Sequence, residues 1–192
     1  CFQQEQGETR YANELAVLAY PLDEQNYQMK ARENRRIADM VSETSLEGKY
    51  RLFGQVIQSR RNRAEQIKEV FQLEIQIETI EGAAEFVGLR ALRQLNETKY
   101  EEKLNGYLQE LRNVSENLLH IRRSAYYTGT LLLLTLELLG KPIEQDLTKK
   151  EPLYRYFERE IPTFPVEYEY QEEVAQLIEA EIERRKNVIH EF

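Results

Sequence analysis

Four glutamates in the stretch 72–95, QLEIQIETIEGAAEFVGLRALRQL, have the spacing of a chemical site. At about 100° per residue, Glu74, Glu78, Glu81 and Glu85 fall within about a 60° arc of one helix. Phe71, Ile75, Phe86 and Leu89 flank that arc on one edge, and Leu73, Ile77, Ala84, Ala91 and Leu95 on the other. Gln72, Gln76, Thr79, Arg90 and Gln94 fall opposite, on what reads as the solvated face. The carboxylates therefore point where the apolar residues point. Like charges at i,i+4 destabilise a helix by roughly 0.2–0.5 kcal/mol per pair. Burying an unpaired carboxylate costs on the order of several kcal/mol. A cation must lie over this stripe: a metal ion, arginines from elsewhere in the chain, or both. Gly82, Ala83 and Ala84 keep the face shallow, so another backbone can come close.

Other reactive residues are few. There is no Gly-rich phosphate loop, no Cys-x-x-Cys and no His-Glu-x-x-His. The two histidines are His120 and His190. His120 lies beside Leu118, Leu119 and Ile121 and reads as a core or edge histidine. Arg185 and His190, four residues between them, resemble the paired motif of the all-helical HEPN ribonucleases, which implies RNA cleavage; the alternative is a surface histidine near a helix end. Tyr126 and Tyr127 precede Gly129 at the entry to the most apolar stretch. A tyrosine hydroxyl there can donate to a developing oxyanion, or simply pack with its hydroxyl satisfied.

These residues need helices to hold them. The chain has 192 residues, with five Pro, eight Gly and 31% charged residues, and Glu, Leu, Gln and Arg abound. That composition favours helix. A net charge of −8 argues against general nucleic-acid binding. The single Cys rules out an internal disulfide, and no run reaches the roughly 18–20 apolar residues of a membrane span. Helices are expected from about Glu24, capped by Asp23, to Val41; through Phe53, Val56 and Ile57 into the basic cluster Arg60, Arg61 and Arg63; and over the acidic stretch. Most of that basic cluster reads as a solvated patch, with one or two arginines able to turn inward. Ser45 to Lys49 reads as a turn. Further helices are expected over Tyr100–Leu111, around Leu131–Leu139, within 143–160 and from Glu172 to Glu191. The run Leu131–Leu139 is apolar on every side and so reads as a buried helix, ended by Gly140 and Pro142.

The expected fold is all-α: a multi-helix orthogonal bundle with a buried central helix. The alternation in VEYEYQ allows one short extended segment near 163–170. Residues 1–160 form the helical lobe, and 161–192 a linker and an amphipathic helix packed on the same domain.

Glu78-Thr-Ile-Glu81-Gly82-Ala83-Ala84-Glu85-Phe86-Val87 resembles the E-x-x-E-G-x-A-x-Y-V segment of gluzincin-type zinc metallopeptidases. Arg60 and Arg63 resemble an R-x-x-R segment, Tyr126-Tyr127-Thr-Gly129 a Y-x-x-G helix, and Cys1-Phe2-Gln3-Gln4 the tail of H-E-x-x-H-x-F-Q. The resemblance covers roughly 1–157 and implies zinc held by Glu81 and by two histidines preceding Cys1, with a water as the fourth ligand. Glu78 or Glu85 would orient a histidine ligand, and Tyr126 or Tyr127 would stabilise the tetrahedral intermediate. It implies peptide or protein substrates. Lacking H-E-x-x-H, the isolated chain would be inactive. The alternative is a non-enzymatic helical interaction protein, or a lipoprotein anchored at Cys1 and so extracytoplasmic.

Overall fold

The computed structural model describes residues 20–143 and 151–190, the last three by their backbone alone. Seven α-helices and no strand lie among them. They are α1 (Glu24–Ser42), α2 (Leu46–Ile67), α3 (Glu69–Leu95), α4 (Glu97–Arg112), α5 (Ile121–Leu138), α6 (Leu153–Glu160) and α7 (Glu172–His190). A short 3-10 turn, Glu116–Leu118, leads into α5. The all-α packed bundle is the class expected. Expectations on Cys1 to Gln4 lie outside the described residues.

Helix starts follow from short polar side chains that satisfy otherwise orphaned N–H groups. The Asp23 carboxylate accepts from the Asn26 N–H at 2.6 Å, the Ser45 hydroxyl from Gly48 at 3.0 Å and the Asn96 amide oxygen from Lys99 at 3.0 Å. Ser45 is thus the cap of α2, and the turn expected over Ser45–Lys49 shortens to Glu43–Ser45. Between α2 and α3 the chain turns on one residue, Lys68, at φ 45°. That conformation is uncommon for a residue with a Cβ, and nothing in the local sequence signals the break. α5 ends as expected. Gly140 adopts φ 64°, and the Lys141 N–H reaches back to the Leu136 carbonyl at 3.0 Å.

The apolar core runs through Ile37, Phe53, Ile57, Leu89, Leu131 and Leu136, all fully enclosed. α5 is the central helix, buried from Thr128 through Leu136, and its most extensive partner is α3. Residues 162–171 form an extended strap with no ladder partner among the described residues. The strap lies along α1 and α2: Phe164 N–H donates to Gly54 O at 3.3 Å, Arg36 to Glu167 O at 2.7 Å, and Gln28 pairs with the Gln171 backbone at 2.9 Å. Val174 and Ile178 of α7 then bury against the bundle.

α3 and α5 cross at two glycines. A Cβ on Gly82 would sit 2.5 Å from the Gly129 Cα, and one on Gly129 would sit 2.7 Å from the Gly82 Cα. These are backbone atoms and cannot rotate away. Overpacking costs about 1–3 kcal/mol, whereas Gly→Ala within a helix gains up to about 1 kcal/mol. Gly129→Ala is therefore expected to lower stability. Gly106→Ala, on α4 with open space at its Cβ, is expected to raise it. Urea denaturation of the two variants checks this opposition of sign.

Candidate functional site

The acidic stripe of α3 meets its cations inside the protein. Glu78 receives both ends of the Arg60 guanidinium, at 2.6 Å each, and the Thr128 hydroxyl at 2.6 Å. Arg60 also donates to Glu33 at 2.8 Å. Arg63 donates to the second Glu33 oxygen at 2.8 Å, to Glu74 at 2.6 Å and to the Asn26 amide oxygen at 2.9 Å. The Tyr20 hydroxyl donates to Glu74 at 2.7 Å. Lys30 lies 3.8 Å from Glu74 and 5.5 Å from the centre of the Tyr20 ring. Three carboxylates thus face three cations. Arg60 and Arg63 are enclosed, 2% and 0% exposed, while Arg61 between them points outward to Glu158 at 3.1 Å. The reading of this cluster as mostly solvated holds for Arg61 alone.

The field inside the network shifts its titrations. Burial alone would raise the Glu74 carboxyl; Arg63 and then Lys30 overcome it and hold the group well below the ordinary carboxylate range. Burial pushes the Lys30 ammonium down to about 8 despite Glu74. Burial raises the Tyr20 hydroxyl, and Glu74 adds to it.

Farther along α3 the stripe reaches the surface. Glu81 accepts from the Arg122 Nε at 2.6 Å. Glu81 also raises the pKa of the Tyr126 hydroxyl beside it. Glu85 accepts from Tyr107 and pairs with Lys103 at 2.5 Å. Tyr127 packs on Tyr107, ring centres 4.9 Å apart. One open cleft of about 590 Å³ is lined by Glu85, Tyr107, Tyr126 and Tyr127 together with His120, Arg122 and Arg123 at the start of α5. Helices α3, α4 and α5 therefore bring together Glu81, Glu85, Tyr126 and Tyr127, all singled out by sequence. Glu78 lies deeper, among the arginines. His120 is exposed at the cleft rather than in the core. Sequence reasoning missed Tyr107, Glu33 and Lys30 as members of these clusters. A larger cleft of about 830 Å³, lined by Gln28, Asn62, Gln66, Tyr168 and Tyr170 among others, holds none of the singled-out residues.

Arg185 bonds Glu181 at 2.8 Å on the exposed side of α7. The side chain of His190 lies outside the described residues, so the paired ribonuclease motif has no geometry to weigh.

A catalytic zinc needs three protein ligands and an open position. Among the described residues no three His, Cys, Asp or Glu side chains are grouped to hold a metal ion. Glu78, Glu81 and Glu85 are each engaged by a cation of this chain, Arg60, Arg122 and Lys103 in turn. These residues alone do not fit the ion. No helix among them is long and apolar enough to cross a membrane. Compared with protein-family models, with curated proteins and with solved structures, the chain matches none.

Breaking the network at one cation should be costly. Arg63→Ala leaves Glu33 and Glu74 short of a partner, and removing one member of a buried pair costs about 3–5 kcal/mol. Chemical denaturation at neutral pH checks this loss. The pH dependence follows from Glu74. Its native value lies below its unfolded one, so its stabilisation is complete above about pH 4.3 and fades as pH falls further, because the unfolded chain takes up a proton the native one refuses. The slope per proton is at most about 1.4 kcal/mol per pH unit. Between pH 5 and 3, Glu74→Gln should show a flatter urea-midpoint profile than the parent protein. Parallel profiles would mean that Glu74 titrates as an ordinary carboxylate.

Proposed function

We propose that this chain is the helical portion of a zinc-dependent metallopeptidase, with Glu81 as its one contribution to the metal. The observation that carries this reading is the meeting of Glu81 and Tyr126. They lie far apart in sequence, both are singled out by resemblance to gluzincins, and the fold brings them near one open cleft, which Tyr126 lines beside Arg122, the partner of Glu81 at 2.6 Å. The remaining two ligands would come from an H-E-x-x-H segment that these 192 residues do not contain. Peptides or proteins would be the substrates, and the isolated chain would be inactive. Glu81 beside it raises the Tyr126 pKa, and a protonated phenol is the form that donates to an oxyanion. Arg122, already on Glu81 at 2.6 Å, holds the carboxylate in place.

A second reading is a non-enzymatic helical interaction protein. It is favoured by the pairing of every carboxylate of the stripe within the chain: Glu74 with Arg63, Glu78 with Arg60, Glu81 with Arg122 and Glu85 with Lys103. Metal content separates the two. In protein expressed from the complete gene, about one zinc per chain is expected, lost in Glu81→Gln with the helical circular dichroism unchanged. Stoichiometric zinc retained in that variant, or no zinc in the parent, would sink the peptidase reading.

A further inference from the structure

The outer face of α3 is apolar and has no partner among the described residues. Ile80, Ala84, Val87, Gly88, Ala91 and Leu95 are all exposed, with Val87 at 66% and Leu95 at 84%. At about 100° per residue they share an arc of about 100°, opposite the buried row Glu78, Gly82, Phe86 and Leu89. This corrects the expected solvated face. Thr79 is partly buried, its hydroxyl accepting from the Leu153 N–H at 3.0 Å, while Ala84, Ala91 and Leu95, expected as flanks of the acidic stripe, face outward. A continuous apolar stripe on a surface helix marks an interaction surface.

We propose that this face docks a second copy of the same chain, α3 against α3, antiparallel about a two-fold axis between Val87 and Gly88. The order of side chains argues for it. Ile80 and Leu95, Ala84 and Ala91, and Val87 and Gly88 are each placed symmetrically about that midpoint. An antiparallel copy therefore sets Ile80 on Leu95, Ala84 on Ala91, and each Val87 over the partner's Gly88. Nothing lies within 4 Å of a Cβ at Gly88, so the notch is open to receive valine. With alanine on either side, the axes can approach to about 8 Å, the close end of helix packing. Such a match of a surface with its own rotated copy is what an isologous interface requires.

Charge does not oppose the contact. None of the six residues is ionisable. The nearest flanking charges are engaged within their own chain, Arg90 with Glu137 at 3.3 Å, Glu81 with Arg122 and Glu85 with Lys103. The area sets the strength. Sixteen helical residues span about 24 Å, and a strip of that length and arc removes on the order of 300–400 Å² per copy. A stable complex buries about 800 Å² per partner. The dimer is accordingly weak and reversible, populated at high protein concentration.

Sedimentation velocity of the 192-residue chain, from low micromolar to near-millimolar concentration, tests this. A reversible monomer–dimer equilibrium is expected, weakened at least about a hundredfold by Val87→Arg, which would bury a charge without a partner. The register has its own test. On a Cys1→Ser background, a mixture of Ala84→Cys and Ala91→Cys chains should form a disulfide-linked dimer under mild oxidation. Neither variant alone should do so, because its own thiols lie two helical turns apart across the interface. Circular dichroism checks that these exposed substitutions leave the fold intact. A monomer at every concentration would overturn the proposal, and so would a dimer indifferent to Val87→Arg. Cross-linking by either single variant alone would overturn the antiparallel register.

Discussion

Everything in this fold is arranged around three carboxylates and three cations that water does not reach. Glu33, Glu74 and Glu78 on one side, and Lys30, Arg60 and Arg63 on the other, come from α1, α2 and α3. Isolated, any one of them would cost several kcal/mol to bury. Together they are neutral: Arg60 forks onto Glu78, Arg63 bridges Glu33 and Glu74, and Thr128, Asn26 and Tyr20 add further hydrogen bonds, while the Lys30 ammonium faces Glu74 at 3.8 Å without a hydrogen bond. Such a cluster adds little net stability compared with a packed apolar core. What it imposes is register. Leucines can slide by a turn and still be buried, whereas a bidentate guanidinium–carboxylate pair has one seat.

That constraint explains where the surface site begins. The first half of the α3 stripe is spent on the interior. The second half emerges between α4 and α5, where Glu81 meets Arg122, and Glu85 meets Lys103 and the Tyr107 hydroxyl. The same helix therefore changes from structural to accessible carboxylates within two turns, and the network behind it orients the accessible pair.

Much of this was legible from residue order. Periodicity and caps gave most of the helices, because Asp23 and Gly140 act locally. Phase gave the inward direction of the acidic stripe, because apolar neighbours shared its arc. The partners were harder to read. Arg60 and Arg63 continue the inward row of Phe53, Val56 and Ile57 at i,i+3/i+4 spacing, a signal masked by Arg61 between them. Glu33 and Lys30 sit likewise in the row of Tyr27, Asn34 and Ile37. A charge in an apolar row is ambiguous until its counter-charge on another helix is known, and that pairing is tertiary. The outer face of α3 misled for the complementary reason. Both faces of that helix carry apolar side chains, so period alone cannot tell which one the bundle covers.

The crossing of Gly82 and Gly129 has a mechanical meaning. Two helices that touch backbone to backbone at one point, with no side chains between them, meet at a fulcrum. From Gly82 to Leu95 the arm of α3 is about 20 Å long, so a few degrees of tilt moves its far end by an ångström or more. Glu78 and Glu81, within about 6 Å of Gly82 along the helix axis, hardly move. Any tilt of α3 about this point would thus be expressed at the exposed end of the helix, while the carboxylates beside the pivot would keep their positions.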